Sequence, residues 1–114
     1  MLIQICRAKI HRAQVTGAHL DYEGSISIGT DLLEASGIHV YERVQVVNLQ
    51  NGARFETYVI EGEPGTIDLN GPAARLGQVG DQVIIIAYAQ IDPDPEAISE
   101  PRVVFVDSGN KPRS

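Results

Sequence analysis

Cysteine is almost missing from this chain: Cys6 stands alone, so no intrachain disulfide forms and a stapled secreted scaffold is excluded. Positive charge is scarce too. Nine Lys and Arg residues against fifteen Asp and Glu give a net charge of −6, which repels a phosphate backbone and argues against nucleic acid as a partner. No apolar run is long. The strongest, from Val83 to Ala89 with Tyr88 inside it, falls far short of the ~20 residues that cross a bilayer. The first residues carry Arg7, Lys9 and Arg12 where a signal peptide needs an unbroken apolar stretch, so a soluble, cytoplasmic protein is expected. Internal repeats and low-complexity tracts are lacking as well.

What is present suits one small domain. The 114 residues are 43% apolar and 21% charged, enough for a real core, although a chain this short gains from association. β-branched residues gather in Ile3–Ile5, Val44–Val47, Phe55–Ile60, Val83–Ala87 and Val103–Val106, which read as strands. Asn51-Gly52 is a hairpin signal, since both residues tolerate positive φ. Residues 30–37 read as a short helix capped by Thr30 or Asp31 and stopped by Gly37. Residues 70–77 suggest a second, with Pro72 near its first position and Gly77 at its end. A mainly β barrel with short helices follows, over residues 1–106, with 107–114 as a flexible tail that has no apolar face.

Four groups of residues are candidates for chemistry. Arg7, Lys9 and His11 alternate with Ala8 and Ile10, so an extended strand puts all three on one face, as an edge deterrent or as an anion site. Gly24-Ser25, after a polar loop, reads as a turn and lacks the glycine pattern of a nucleophile elbow. Arg54 and Tyr58 share a strand face and offer a rigid guanidinium fork and a phenolic proton. The start of Asn70-Gly71-Pro72-Ala73-Ala74 presents backbone N–H groups as a helix cap or a carboxylate seat, less one donor at Pro72.

Lys9-Ile10-His11-Arg12, Leu20-Asp21-Tyr22-Glu23-Gly24-Ser25, Asn51 through Tyr58 and Leu69 through Ala74, in this order and spacing, closely resemble the pyruvoyl-dependent aspartate decarboxylases of bacteria, from the first residue to about Gln90. The resemblance implies a double-psi β-barrel and a homotetramer with active sites between subunits. It also implies conversion of L-aspartate to β-alanine and carbon dioxide on the pantothenate route. The precursor is expected to cut itself between Gly24 and Ser25 into a β chain, 1–24, and an α chain, 25–114. Ser25 thereby becomes a covalent pyruvoyl cofactor; no metal is called for, and whether a maturation protein assists is left open.

For the cut, Ser25 attacks the Gly24 carbonyl, and a side chain at position 24 is expected to obstruct the approach. The resemblance makes Thr57 the oxyanion donor, a role worth roughly 3 kcal/mol elsewhere. In turnover the pyruvoyl carbonyl takes the substrate amine as a Schiff base and drains electrons from the breaking bond, with Tyr58 as proton donor. Arg54 is assigned the retained carboxylate, because gripping the departing one stabilises the ground state. Lys9 and His11 are expected to complete a positive pocket. Tyr22, Thr57, Asn70, Gly71, Pro72 and Ala73 line the substrate. Pro72 replaces an alanine common among relatives, and Ile26 a smaller residue seen in some. Thr57 and Tyr58 are neighbours and should face opposite ways, which a bulge or a site shared between subunits resolves. Two other readings compete: a non-enzymatic β-barrel binding module, and a serine hydrolase using Ser25, His11 and Asp21.

Overall fold

The computed structural model describes residues 1–113; Ser114, the end of the expected tail, lies outside the described residues. The chain is mainly β. Strand β1 (Ile3–Gln14) leads to β2 (Gly17–His19), β3 (Ser25–Gly29) and helix α1 (Thr30–Ser36). β4 (Arg43–Asn48), β5 (Arg54–Gly62) and β6 (Ile67–Asn70) follow, then a 3₁₀ turn (Gly71–Arg75), β7 (Gln82–Ile91) and β8 (Arg102–Phe105). All strands form one sheet in the order β2-β6-β3-β5-β4-β7-β1-β8.

Alternation along the strands builds the interior. Ile10, Ile26, Ile28, Val44, Val46, Val59, Ile67, Leu69, Val83 and Ile85 are fully buried and join one cluster with Leu32 of α1 and Val104 of β8. Inward side chains from nearly every strand meet in that cluster, as they do when a sheet curls around its own core into a barrel. Each such side chain contributes roughly 1.5–3 kcal/mol by leaving water.

The local signals resolve with small differences. Helix α1 ends where Gly37, at φ 75°, donates its N–H to Leu33 O. Gly29, rather than Thr30 or Asp31, occupies the N-cap, without a side-chain cap bond. The second helix is a 3₁₀ turn with Pro72 in its first positions, and it ends at Arg75, with Leu76 rather than Gly77 as its C-cap. In the β4–β5 hairpin only Gly52 takes positive φ; Asn51 instead accepts the Ala53 N–H on its side-chain oxygen.

Residues 107–113 are tied to the barrel. Buried Asn110 donates to Gln14 O at 2.7 Å and Gly65 O at 3.1 Å, and accepts the Gln14 N–H at 2.7 Å. The Arg113 N–H also donates to Phe105 O at 2.8 Å, so polar contacts do what the missing apolar face does not. Among the described residues no helix is long and apolar enough to cross a membrane.

Strand β5 changes partners along its length, and that positions the site. Arg54–Tyr58 pair with β4, whereas Val59–Gly62 pair with β3, which begins only at Ser25. On the β3 side, Phe55–Tyr58 therefore lack a strand neighbour, and a groove opens there.

Candidate active site

The groove holds about 340 Å³ and is lined by Gly24, Phe55, Glu56, Thr57, Tyr58, Pro72, Ala73 and Leu76. It joins the Gly24–Ser25 bond to the Thr57-Tyr58 pair and to the 3₁₀ turn.

Ser25 opens β3 opposite Asn70 of β6 and is 3% exposed. Asn70 Nδ2 donates to Ser25 Oγ and to Ser27 Oγ, each at 3.0 Å. Ser25 Oγ in turn donates to Glu23 O at 3.2 Å, which turns the hydroxyl back along the chain across residue 24. These residues suit a serine that attacks its own peptide bond: the hydroxyl is buried, oriented and within an amide's hold.

A steric demand for glycine falls at Gly71. Leaving aside its chain neighbours Glu23 and Ser25, a Cβ on Gly24 would meet only Pro72 Cδ at 3.6 Å, an ordinary contact. Gly71, at φ 66°, is the crowded position. A Cβ there would stand 2.7 Å from Gly24 N, 2.8 Å from Gly24 Cα and 2.8 Å from Tyr22 O. Positive φ and close approach both require glycine at 71.

The pairing of β5 with β4 runs from Val47–Arg54 to Arg43–Tyr58 without a shift, so no bulge reconciles Thr57 with Tyr58. Phe55 and Thr57 are half-buried, while Arg54, Glu56 and Tyr58 point outward. Thr57 thus faces inward and Tyr58 outward, and both line the groove beside Gly24.

That outer face carries the remaining candidates. Lys9, Ile86, Gln45 and Glu56 form one cross-strand row over β1, β7, β4 and β5. Arg54 lies diagonal to Gln45 and donates from Nη1 to its Oε1 at 2.9 Å. His11 sets its ring edge-on to Phe105, with centroids 5.6 Å apart. The sheet order puts three strands between β1 and β3, and the groove beside Ser25 includes none of Lys9, His11 and Arg54. Within one chain the candidate residues fall into two separate groups. A Ser25–His11 hydrolase pair is absent, since His11 packs on Phe105 while Ser25 bonds to Asn70 and Glu23.

Arg7 leaves the basic stripe. An irregularity between Cys6 and Ala8 turns it aside to pair with Glu42 and to donate to Gly37 O at 3.2 Å, at the end of α1. Burial acts to raise the Glu42 pKa, but the Arg7 hydrogen bond, the His39 N–H and the nearby positive charge prevail and hold it below the ordinary value.

Sequence reasoning missed the surroundings of Tyr22. Its ring stacks on His19 at 4.9 Å and 21°, and His19 Nε2 lies 3.1 Å from Asp68 Oδ2, while Thr16 donates to Asp68 Oδ1 at 2.6 Å. A Cβ on Gly17 would fall 2.7 Å from that carboxylate and 2.8 Å from His19 Nε2. A glycine two residues before a histidine was the available signal. Gln45 and Tyr88, whose hydroxyl donates to Gln45 Oε1 at 2.6 Å, gave none, because their meeting depends on β4 lying beside β7.

A mainly β domain that seats a Gly-Ser bond beside threonine, tyrosine and asparagine fits the class of small decarboxylating lyases. The comparisons agree: the family model described as Aspartate decarboxylase matches residues 1–113. Proteins named aspartate 1-decarboxylase are similar along nearly the whole chain. That of Leptospira biflexa is 55% identical over 99% of this chain and 98% of its own. Those of Caldicellulosiruptor saccharolyticus and Campylobacter jejuni are each 58% identical, over 97% and 96% of this chain and 88% of theirs. The chain belongs to the aspartate decarboxylase family.

Proposed function

We propose that this protein decarboxylates L-aspartate to β-alanine and carbon dioxide for pantothenate synthesis in the cytoplasm, after cutting its own chain at Gly24–Ser25. The observation that carries this reading is the seat of Ser25 in a chain of this family: a buried hydroxyl held by Asn70 and directed back over residue 24. In the cut, Ser25 Oγ bonds to the Gly24 carbonyl carbon and the Gly24 C–Ser25 N bond breaks, leaving an ester. Thr57 donates to the oxyanion on the way. Loss of the Ser25 α-proton breaks its Cβ–Oγ bond and frees Gly24 as a carboxylate. Water then displaces the nitrogen as ammonia, leaving a pyruvoyl group at residue 25 of the α chain, 25–114, beside a β chain of 1–24. The barrel domain covers residues 1–106.

The pyruvoyl carbonyl supplies an electrophile for the substrate amine and a sink for the electrons of the bond that loses carbon dioxide. The chain does the rest. Arg54 grips the carboxylate that stays with the product, its fork matched to two oxygens. Lys9 and His11 add positive charge, and Tyr58 gives a proton to the carbon that carbon dioxide has left. Tyr22, Asn70, Gly71, Pro72 and Ala73 line the bound substrate; Ala73 has an N–H to offer and Pro72 has none. A homotetramer is part of this reading. With Lys9, His11 and Arg54 on the outer face and Ser25 at the groove, a neighbouring copy's outer face set against the groove completes the pocket.

Mass spectrometry of the purified protein tests the proposal: two fragments, the larger with a blocked amino terminus, are expected. Ser25→Ala should stay one chain and be inactive; an uncut wild type that still releases carbon dioxide from aspartate overturns the reading.

A further inference from the structure

The outer face treats its cations unequally. Arg7 is paired with Glu42, and Arg43 with Glu56, so two guanidinium groups have their charge met by carboxylates. Among the described residues, neither Lys9 nor Arg54 takes part in any ion pair. In a chain with fifteen carboxylates, Arg54 is held instead by an amide. Gln45 Oε1 accepts from Arg54 Nη1 at 2.9 Å and from the Tyr88 hydroxyl at 2.6 Å. Glu56, the carboxylate directly across from Gln45 in the β4–β5 register, is turned away to Arg43. Gln45 and Tyr88 line a cavity of about 420 Å³ that also touches Gln4, Arg43 and Glu56.

We propose that Gln45 is a positioning and specificity residue: it fixes the Arg54 fork through a neutral acceptor, so that the guanidinium charge stays free for the carboxylate of the substrate. This rests on the proposed substrate role of Arg54. The physical argument concerns charge as well as geometry. A glutamate at 45 has the same reach and accepts the same two hydrogen bonds, but it forms an ion pair with Arg54, and the incoming carboxylate must then compete with it. Tyr88 serves as a brace, its hydroxyl anchoring the Gln45 oxygen from β7.

The test compares wild type with Gln45→Met, Gln45→Ala and Gln45→Glu, each checked for self-cleavage by mass and for melting temperature, in steady-state decarboxylation of aspartate per cut chain. Gln45→Met and Gln45→Ala should raise KM roughly three- to tenfold with kcat nearly kept, since the fork is loosened but still charged. Gln45→Glu should raise KM further than either. That order is decisive, because a merely structural acceptor predicts the reverse, with glutamate close to wild type and alanine worst. Equal KM in all four proteins, or glutamate performing better than alanine, overturns the inference while the proposed function stands. A wild type that does not decarboxylate aspartate overturns both.

Discussion

The Cα of Gly71 faces the backbone of Gly24 so closely that a methyl group on it would stand 2.7 Å from the Gly24 nitrogen. In the proposed function the 3₁₀ turn is therefore a template for the loop that carries the bond to be cut. Asn70, one residue earlier, holds the Ser25 hydroxyl, so two successive residues touch both partners of the proposed cut.

Gly71→Ala should consequently act on cleavage. The substitution holds a methyl-bearing residue at φ 66°, at a cost of about 1–2 kcal/mol, and displaces Gly24 by several tenths of an ångström. A displacement of that kind at a reacting carbonyl slows an intramolecular attack steeply. Precursor followed on denaturing gels should convert at least about tenfold more slowly than wild type. Equal conversion of wild type and Gly71→Ala contradicts the template.

The strands of the core were legible because β-branched residues concentrate in Val44–Val47, Phe55–Ile60 and Val83–Ala87, a composition that suits strands. The short strands β2 and β6 carried weaker signals. Gly17–His19 and Ile67–Asn70 are strands because they pair with each other in parallel, a non-local relationship that no local propensity expresses. The same division runs through the site. Ser25, Thr57, Tyr58 and Arg54 were readable as residue types in a motif, whereas their separation into a groove and an outer face follows from the strand order. Residues 107–113 looked unstructured because apolar content was the criterion, and Asn110 supplies hydrogen bonds instead.

Acid should loosen the corner where α1 meets β1. Glu42 has a pKa lowered from the ordinary 4.5 by Arg7, the His39 N–H and neighbouring charge, against the opposing effect of burial. A carboxylate depressed on folding contributes stability that is present above its unfolded pKa and is lost as pH falls through its folded one. Glu42→Gln should therefore be less stable than wild type near neutrality, and the gap should close as pH drops below 4.5. Asp81, held low by Asn48 and the Gln78 N–H, and Asp107, held low by the Lys111 and Gly109 N–H groups, act in the same direction in both proteins. They cancel in the difference. Urea melts of the two proteins across pH 3–7 measure it; a gap independent of pH contradicts the assignment.

Asn110 offers a way to divide a stability effect into its parts. It is 2% exposed, sits at φ 60° and makes three hydrogen bonds to the backbone of Gln14 and Gly65. Asn110→Ala removes the bonds, leaves buried backbone groups without partners, and keeps a β-carbon in left-handed backbone that asparagine tolerates better than alanine. Together these cost about 2–4 kcal/mol. Asn110→Gly removes the same bonds but relieves the backbone, so it should fall between wild type and alanine, with the alanine–glycine gap near 1 kcal/mol. Denaturant midpoints of the three proteins give both numbers. If glycine and alanine are equally destabilised, left-handed backbone contributes nothing and the hydrogen bonds carry the whole effect. If neither variant differs from wild type, the contacts of Asn110 do not hold residues 107–113 to the barrel.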